Sequence, residues 1–157
     1  MNSSVQAVYC FDTSAFIDSW RRYYLPEFDF CKPVWDRIEE LMSEGKIIIP
    51  EEVITELKDK DDDIYKFVKR YPDIVMPVTD EQMDLVVDIF ATHGQLIDKK
   101  KTEKYHADVL VIALAKLHKV PVITFESDNK GFGIPAVCKA HGVKPMRFQD
   151  FLKNENI

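Results

Sequence analysis

The chain has 157 residues, 46% hydrophobic and 31% charged, enough to bury one real core and too few for two comfortable ones, so a single domain over 1–157 is expected. Five Gly and eight Pro, without low-complexity runs or a solenoid period, argue against disorder and repeat arrays. No apolar run approaches the roughly 20 residues that span a bilayer, and the start "MNSSVQ" lacks the basic-then-apolar layout of a secretion signal, so no membrane partner and a cytoplasmic location are expected. A net charge of −6 opposes passive adhesion to a polyanion. A chain of this charge that handles nucleic acid needs a bound dication or a local basic patch to invert the sign.

"VQAVYCF" (5–11) reads as a buried strand, continuous in apolar and β-favouring residues, with a helix following over 13–24. "KPVWDRIEELMSEG" sets Val34, Trp35, Ile38, Leu41 and Met42 at helical spacing between Pro33 and Gly45. "KIIIP" is a short strand, and "PEEVITELKDK" starts a helix at its Pro. The acidic "DKDDD" reads as a solvated connection into the short amphipathic helix "IYKFVKRY". "DIVMPV" (73–78) predicts a second central strand, and "TDEQMDLVVDIFATHG" a helix with a Thr cap and a terminal Gly. "QLIDKKKTEKY" reads as a polar connection, then "HADVLVIALAKLHK" as an apolar helix, "VPVITF" as a strand, "IPAVCKAHG" as a helix, "KPMRF" as a strand and "QDFLKN" as a terminal helix. Strands separated by helices along the whole chain predict an α/β three-layer sandwich, a central parallel sheet flanked by helices. Ligands of such sheets gather outside the carboxyl ends of the strands.

Cys10, Cys31 and Cys138 are odd in number and widely spaced, which predicts buried reduced thiols rather than a disulfide framework or a zinc site. The four His lack ligand spacing and are expected at surfaces and helix ends. Four acids carry more information. Asp12 interrupts an apolar run at the end of the first strand, as a helix cap or as a site. Asp108 lies in the apolar "ADVLVIALA" on one face with Val111, Ile112 and Ala115, where an ionised carboxylate costs several kcal/mol unless it is paired, ligates a metal, or caps a helix start near His106 or Ala107. Glu126 follows "VPVITF" with Asp128 two residues on, and Glu56 stands in "EEVITELK" beside Val53, Ile54 and Leu57. Two acids ending strands and two near helix starts can converge at one end of a parallel sheet. Two carboxylates about 6 Å apart repel by about 3 kcal/mol at an effective dielectric near 20, so a cluster must take up protons or bind a cation. Oxygen ligands without His or Cys select hard ions, Mg²⁺ or Mn²⁺.

"CFDTSAFID", "IIIPEEVITEL" and "HADVLVIALAKLHKVPVITFE", in this order and spacing, resemble the PIN-domain ribonucleases over nearly the whole chain. By position, the resemblance implies a metal site of Asp12, Glu56, Asp108 and Glu126, with Ser14 and Thr124 at small polar positions that orient the acids or a water. Glu126 stands where many of those nucleases have Asp, one methylene shorter, and Asp128 is a candidate to share the ion. "RRYYLPEFDFCKPVWDRIEELMSEGKIIIPEEV" and "IPAVCKAHGV" further resemble an uncharacterised, mostly prokaryotic PIN-like subfamily of suspected toxin components. The resemblance implies a Mg²⁺- or Mn²⁺-dependent endoribonuclease acting on RNA phosphodiesters, with an antitoxin protein and a homodimer as candidate partners. Arg21 and Arg22 beside Tyr23 and Tyr24 suit phosphate pairing and base stacking, and Lys99, Lys100, Lys101 and Lys104 offer a basic patch near the helix of Asp108, or a solvated face. The competing expectation is a catalytically inactive module of the same fold that docks a protein or RNA partner. An aspartyl-nucleophile phosphatase also places Asp after its first strand, but that chemistry wants a second acid where Ser14 stands.

Overall fold

In the computed structural model, residues 6–94, 102–127, 129 and 131–157 are described, the side chains of 102–106 excepted. Five short strands, β1 (Tyr9–Phe11), β2 (Ile47–Pro50), β3 (Val75–Met76), β4 (Val122–Thr124) and β5 (Pro145–Arg147), form one sheet in the order β3-β2-β1-β4-β5. Every pairing is parallel, with Cys10 opposite Ile48 on one side and Val122 on the other. The α/β three-layer architecture is the one expected from the alternation of elements.

The helices are α1 (Thr13–Asp18), α2 (Lys32–Ser43), α3 (Glu51–Lys60), α4 (Asp62–Val68), α5 (Asp80–His93), α6 (Thr102–His118), α7 (Ile134–Ala140) and α8 (Phe148–Asn154). Strand alternation distributes β1 between two layers. Tyr9 and Phe11 point to α8, where both rings meet Phe151 edge-on at 4.9 and 5.2 Å. Cys10 points the other way and its thiol donates to the Val111 carbonyl of α6 at 3.6 Å. Residues 109–115 of α6 are all buried, which is why the segment reads as apolar all round.

Four expectations are corrected. The helix after β1 is α-helical only to Asp18, because the buried Ser19 hydroxyl bonds back to the Ala15 and Phe16 carbonyls and the chain widens into a π-helical turn, Ser19–Tyr23, closed by Tyr24 N–H on Ser19 O. "DKDDD" is no connection: Asp61 alone separates α3 from α4, and its side chain accepts from the N–H groups of Asp63 and Ile64 as a helix cap. β3 is a two-residue edge strand and not a central one, since Pro77 cannot donate to a continuing ladder and a 3₁₀ turn, Pro72–Ile74, precedes it. α6 begins at Thr102, inside the expected polar connection, so Asp108 sits in the second turn and cannot cap the helix start. Val5, at the head of the expected first strand, lies outside the described residues, as does 95–101.

The three cysteines are buried and free, as expected. No helix among the described residues is long and apolar enough to cross a membrane.

Candidate functional site

β1 and β4 are neighbours, and their parallel register carries Asp12 and Thr124 to the same end of the sheet. The Asp12 N–H bonds to the Ile123 carbonyl at 3.0 Å, extending the ladder by one step and fixing the backbone from which the carboxylate projects. Asp12 occupies the N-cap position of α1 without making a side-chain capping bond. Its Oδ2 accepts instead from the Ser14 hydroxyl at 2.7 Å and the Thr124 hydroxyl at 3.0 Å. The carboxylate is therefore held against its own strand end by two hydroxyls from different elements, in a residue only 4% exposed. The side chain does not act as the helix cap that its position would allow.

The hydroxyls belong to a wider network. Ser14 Oγ lies 3.2 Å from Thr124 Oγ1 and accepts from the Phe125 N–H at 3.0 Å. Thr124 Oγ1 accepts from the Glu126 N–H at 3.1 Å, which ties the backbone of the post-strand acid to the group that donates to Asp12. Glu126 then reaches across to α7, where its Oε1 accepts from the Ile134 N–H at 3.3 Å. Gly133, at φ +87°, turns the chain into that helix in a conformation a side chain would oppose. Glu56 comes from α3, accepts from the Thr13 hydroxyl at 2.6 Å, and has Lys60 at 3.9 Å one turn on. The residue after Asp12 thus links the α3 acid to the strand end.

The fourth acid, Asp108 on α6, shares an electrostatic neighbour with two of the others. The buried Cys138 thiol of α7 is pushed well above its ordinary pKa, first by desolvation, then by negative charge on Cys10, Asp12, Glu126 and Asp108. Asp12, Asp108 and Glu126 therefore act on one thiol from β1, α6 and the β4 end. Cys10 is raised in the same direction by burial and by Asp12. Among the described residues no three His, Cys, Asp or Glu side chains form a group that could hold a metal ion. The donors near Asp12 are carboxylate and hydroxyl oxygens, a set whose chemistry fits a hard dication and not a thiophilic one.

Of the other expected site residues, Arg21 is engaged, with Nε 2.7 Å from Asp61 and a second bond to the Lys60 carbonyl at 3.3 Å. Arg22 is exposed. Asp128, Lys99, Lys100 and Lys101 lie outside the described residues, and the side chain of Lys104 with them. One feature was only half visible in the sequence. Tyr23, 59% exposed, stacks on Phe125 at 5.1 Å and 12°, and Phe125 stacks in turn on the buried Phe148 at 5.1 Å and 19°. "RRYY" signals the tyrosine, but the ring beneath it comes from the residue between Thr124 and Glu126, more than a hundred positions away.

Residues 9–157 match the family described as a domain of unknown function, DUF4411. The chain belongs to that family. The match begins at the first residue of β1 and so takes in every element that builds the acidic site. Among curated proteins none matches.

Proposed function

We propose that this DUF4411 chain is a Mg²⁺- or Mn²⁺-dependent ribonuclease of PIN type, with Asp12 and Asp108 as central ligands and Glu56 and Glu126 as direct or water-mediated ones. The observation that carries the reading is Asp12: a nearly buried carboxylate at the end of the central strand, held by Ser14 and Thr124, with Asp108 and Glu126 joining it in opposing ionisation of the Cys138 thiol. A buried carboxylate with other acids in its field is stabilised by a dication that offsets their shared charge.

When bound, the dication supplies positive charge to the phosphodiester and acidity to an attacking water. The chain's own residues do the rest. Ser14 and Thr124 hold Asp12 Oδ2 in place. Thr13 fixes Glu56, and the Ile134 N–H fixes Glu126. Tyr23 offers an aromatic face on Phe125 for an RNA base, and Arg22 a cation for a phosphate. An antitoxin, a homodimer and a cytoplasmic setting are the biological context this reading favours.

Asp12→Asn and Asp108→Asn are expected to abolish Mn²⁺-dependent cleavage of total RNA with an unchanged far-UV circular dichroism spectrum. Undiminished cleavage by either variant refutes the assignment. In parallel, millimolar Mn²⁺ should raise the melting temperature of the parent protein, because a ligand of the native state stabilises it by mass action. A parent that neither cleaves RNA nor shifts in Mn²⁺ is the inactive docking module instead.

A further inference from the structure

Three lone-pair-bearing atoms meet where the last turn of α5 packs against the end of α7. His93 Nδ1 lies 2.8 Å from His141 Nε2 and 3.0 Å from Thr92 Oγ1. Thr92 Oγ1 lies 3.2 Å from His141 Nε2, which closes a triangle. How many lone pairs face its centre depends on the tautomer of each ring. The Thr92 hydroxyl hydrogen goes to the Asp88 carbonyl, 2.7 Å away, leaving Oγ1 an acceptor. On the far side of the imidazole, the Asp88 carboxylate lies 3.8 Å from His141 Nδ1 and favours the tautomer protonated there, so that Nε2 presents a bare lone pair. Protonated at Nδ1, His93 donates to His141 Nε2 and Thr92 Oγ1; in its other tautomer it adds a third lone pair to the triangle.

We propose that this triangle binds a late first-row divalent cation, Zn²⁺ foremost, through His93 Nδ1, His141 Nε2 and Thr92 Oγ1, with water completing the coordination. Metal–nitrogen bonds of about 2.0–2.1 Å in a tetrahedral site set neighbouring donors about 3.3–3.4 Å apart. All three edges are shorter than that, so binding requires the triangle to open by about 0.1–0.6 Å along its edges. The Asp88 carboxylate, 3.8 Å from His141 Nδ1, stands beyond direct hydrogen-bond reach but on the side from which a carboxylate orients a ligating imidazole and raises its basicity. Imidazole donors choose Zn²⁺, Ni²⁺ or Cu²⁺ over Mg²⁺, which separates this site chemically from the oxygen donors around Asp12. The His141 side chain is 5% exposed while Thr92 is exposed, so the triangle is braced on one side and open to solvent on the other.

The test is calorimetric titration of Zn²⁺ into the chelator-stripped full chain in millimolar Mg²⁺, with the melting temperature as second readout. The parent should bind one equivalent and melt higher. His93→Gln and His141→Gln should weaken binding at least tenfold, and Asp88→Asn by about 10- to 100-fold, the range typical of outer-shell partners. Asp12→Asn should leave Zn²⁺ affinity unchanged, so failure here is distinct from failure of the nuclease reading. His93, on the more open side, decides the matter if His141→Gln proves unstable without metal. Absence of binding heat and thermal shift in the parent, or parental affinity in His93→Gln, overturns the proposal.

Discussion

Ser14 does more than its size implies. Its hydroxyl donates to Asp12, contacts Thr124 and accepts from the Phe125 N–H, so one small side chain joins both strand ends that carry acids. Ser14→Ala leaves a half-buried backbone donor without its acceptor and removes one of the two hydroxyls on Asp12 Oδ2. Urea denaturation should register a loss of about 1–3 kcal/mol, the cost of orphaning such a group. A loss below a few tenths would mean that water replaces the hydroxyl. At this scale the sequence is legible where a residue breaks its local pattern, as Asp12 and Asp108 do. It is opaque where the meaning lies in a distant partner: nothing near Thr13 announces Glu56, and nothing near His93 announces His141.

Among the elements, α4 shows how a charge run misleads. "DKDDD" looks solvated because five of its residues are polar, yet Asp61 is a cap whose carboxylate accepts from Asp63 and Ile64 and also meets Arg21. Composition reports polarity, while capping depends on which N–H groups a side chain reaches. Asp61→Ala is expected to cost about 1–2 kcal/mol, typical of a lost cap. Arg21→Ala, on a half-exposed partner, should cost less than about 1 kcal/mol. Paired thermal melts separate the two, and equal losses would make the ion pair, not the cap, the main contribution. The start of α6 was missed for a related reason: Thr102 to Tyr105 are polar or amphipathic and carry no apolar period, though they continue the helix that Asp108 occupies. The buried stretch 109–115, strongly apolar, was legible at once.

For the molecule as a whole, parallel strands alternating with helices were readable from the order of apolar runs. Strand order was not, because each short run is equally apolar and only pairing distinguishes centre from edge. The clearest global tie is Tyr9, whose hydroxyl donates to Glu155 and accepts from Asn154 Nδ2 at 2.6 Å, joining the central strand to the end of α8. Burial, then the Glu155 hydrogen bond, raises its pKa from 10.0 to about 12. A folded pKa above the unfolded one means that this stabilisation is complete below pH 10 and is lost as the pH climbs to about 12. Tyr9→Phe should therefore unfold at lower urea at neutral pH and show a shallower decline above pH 10. Parallel curves for the two proteins would discount the link.

Because β1 pairs with β4 as well as β2, synthesis on the ribosome leaves one edge of the first strand bare until residues near Val122 have emerged. Until then Asp12 has Ser14 beside it but not Thr124. A nascent chain of this protein carries Asp12 and Glu56 early and acquires Asp108, Thr124 and Glu126 only in its final third, so the carboxylates from β1 and α3 wait, unassembled, for those from α6 and the end of β4.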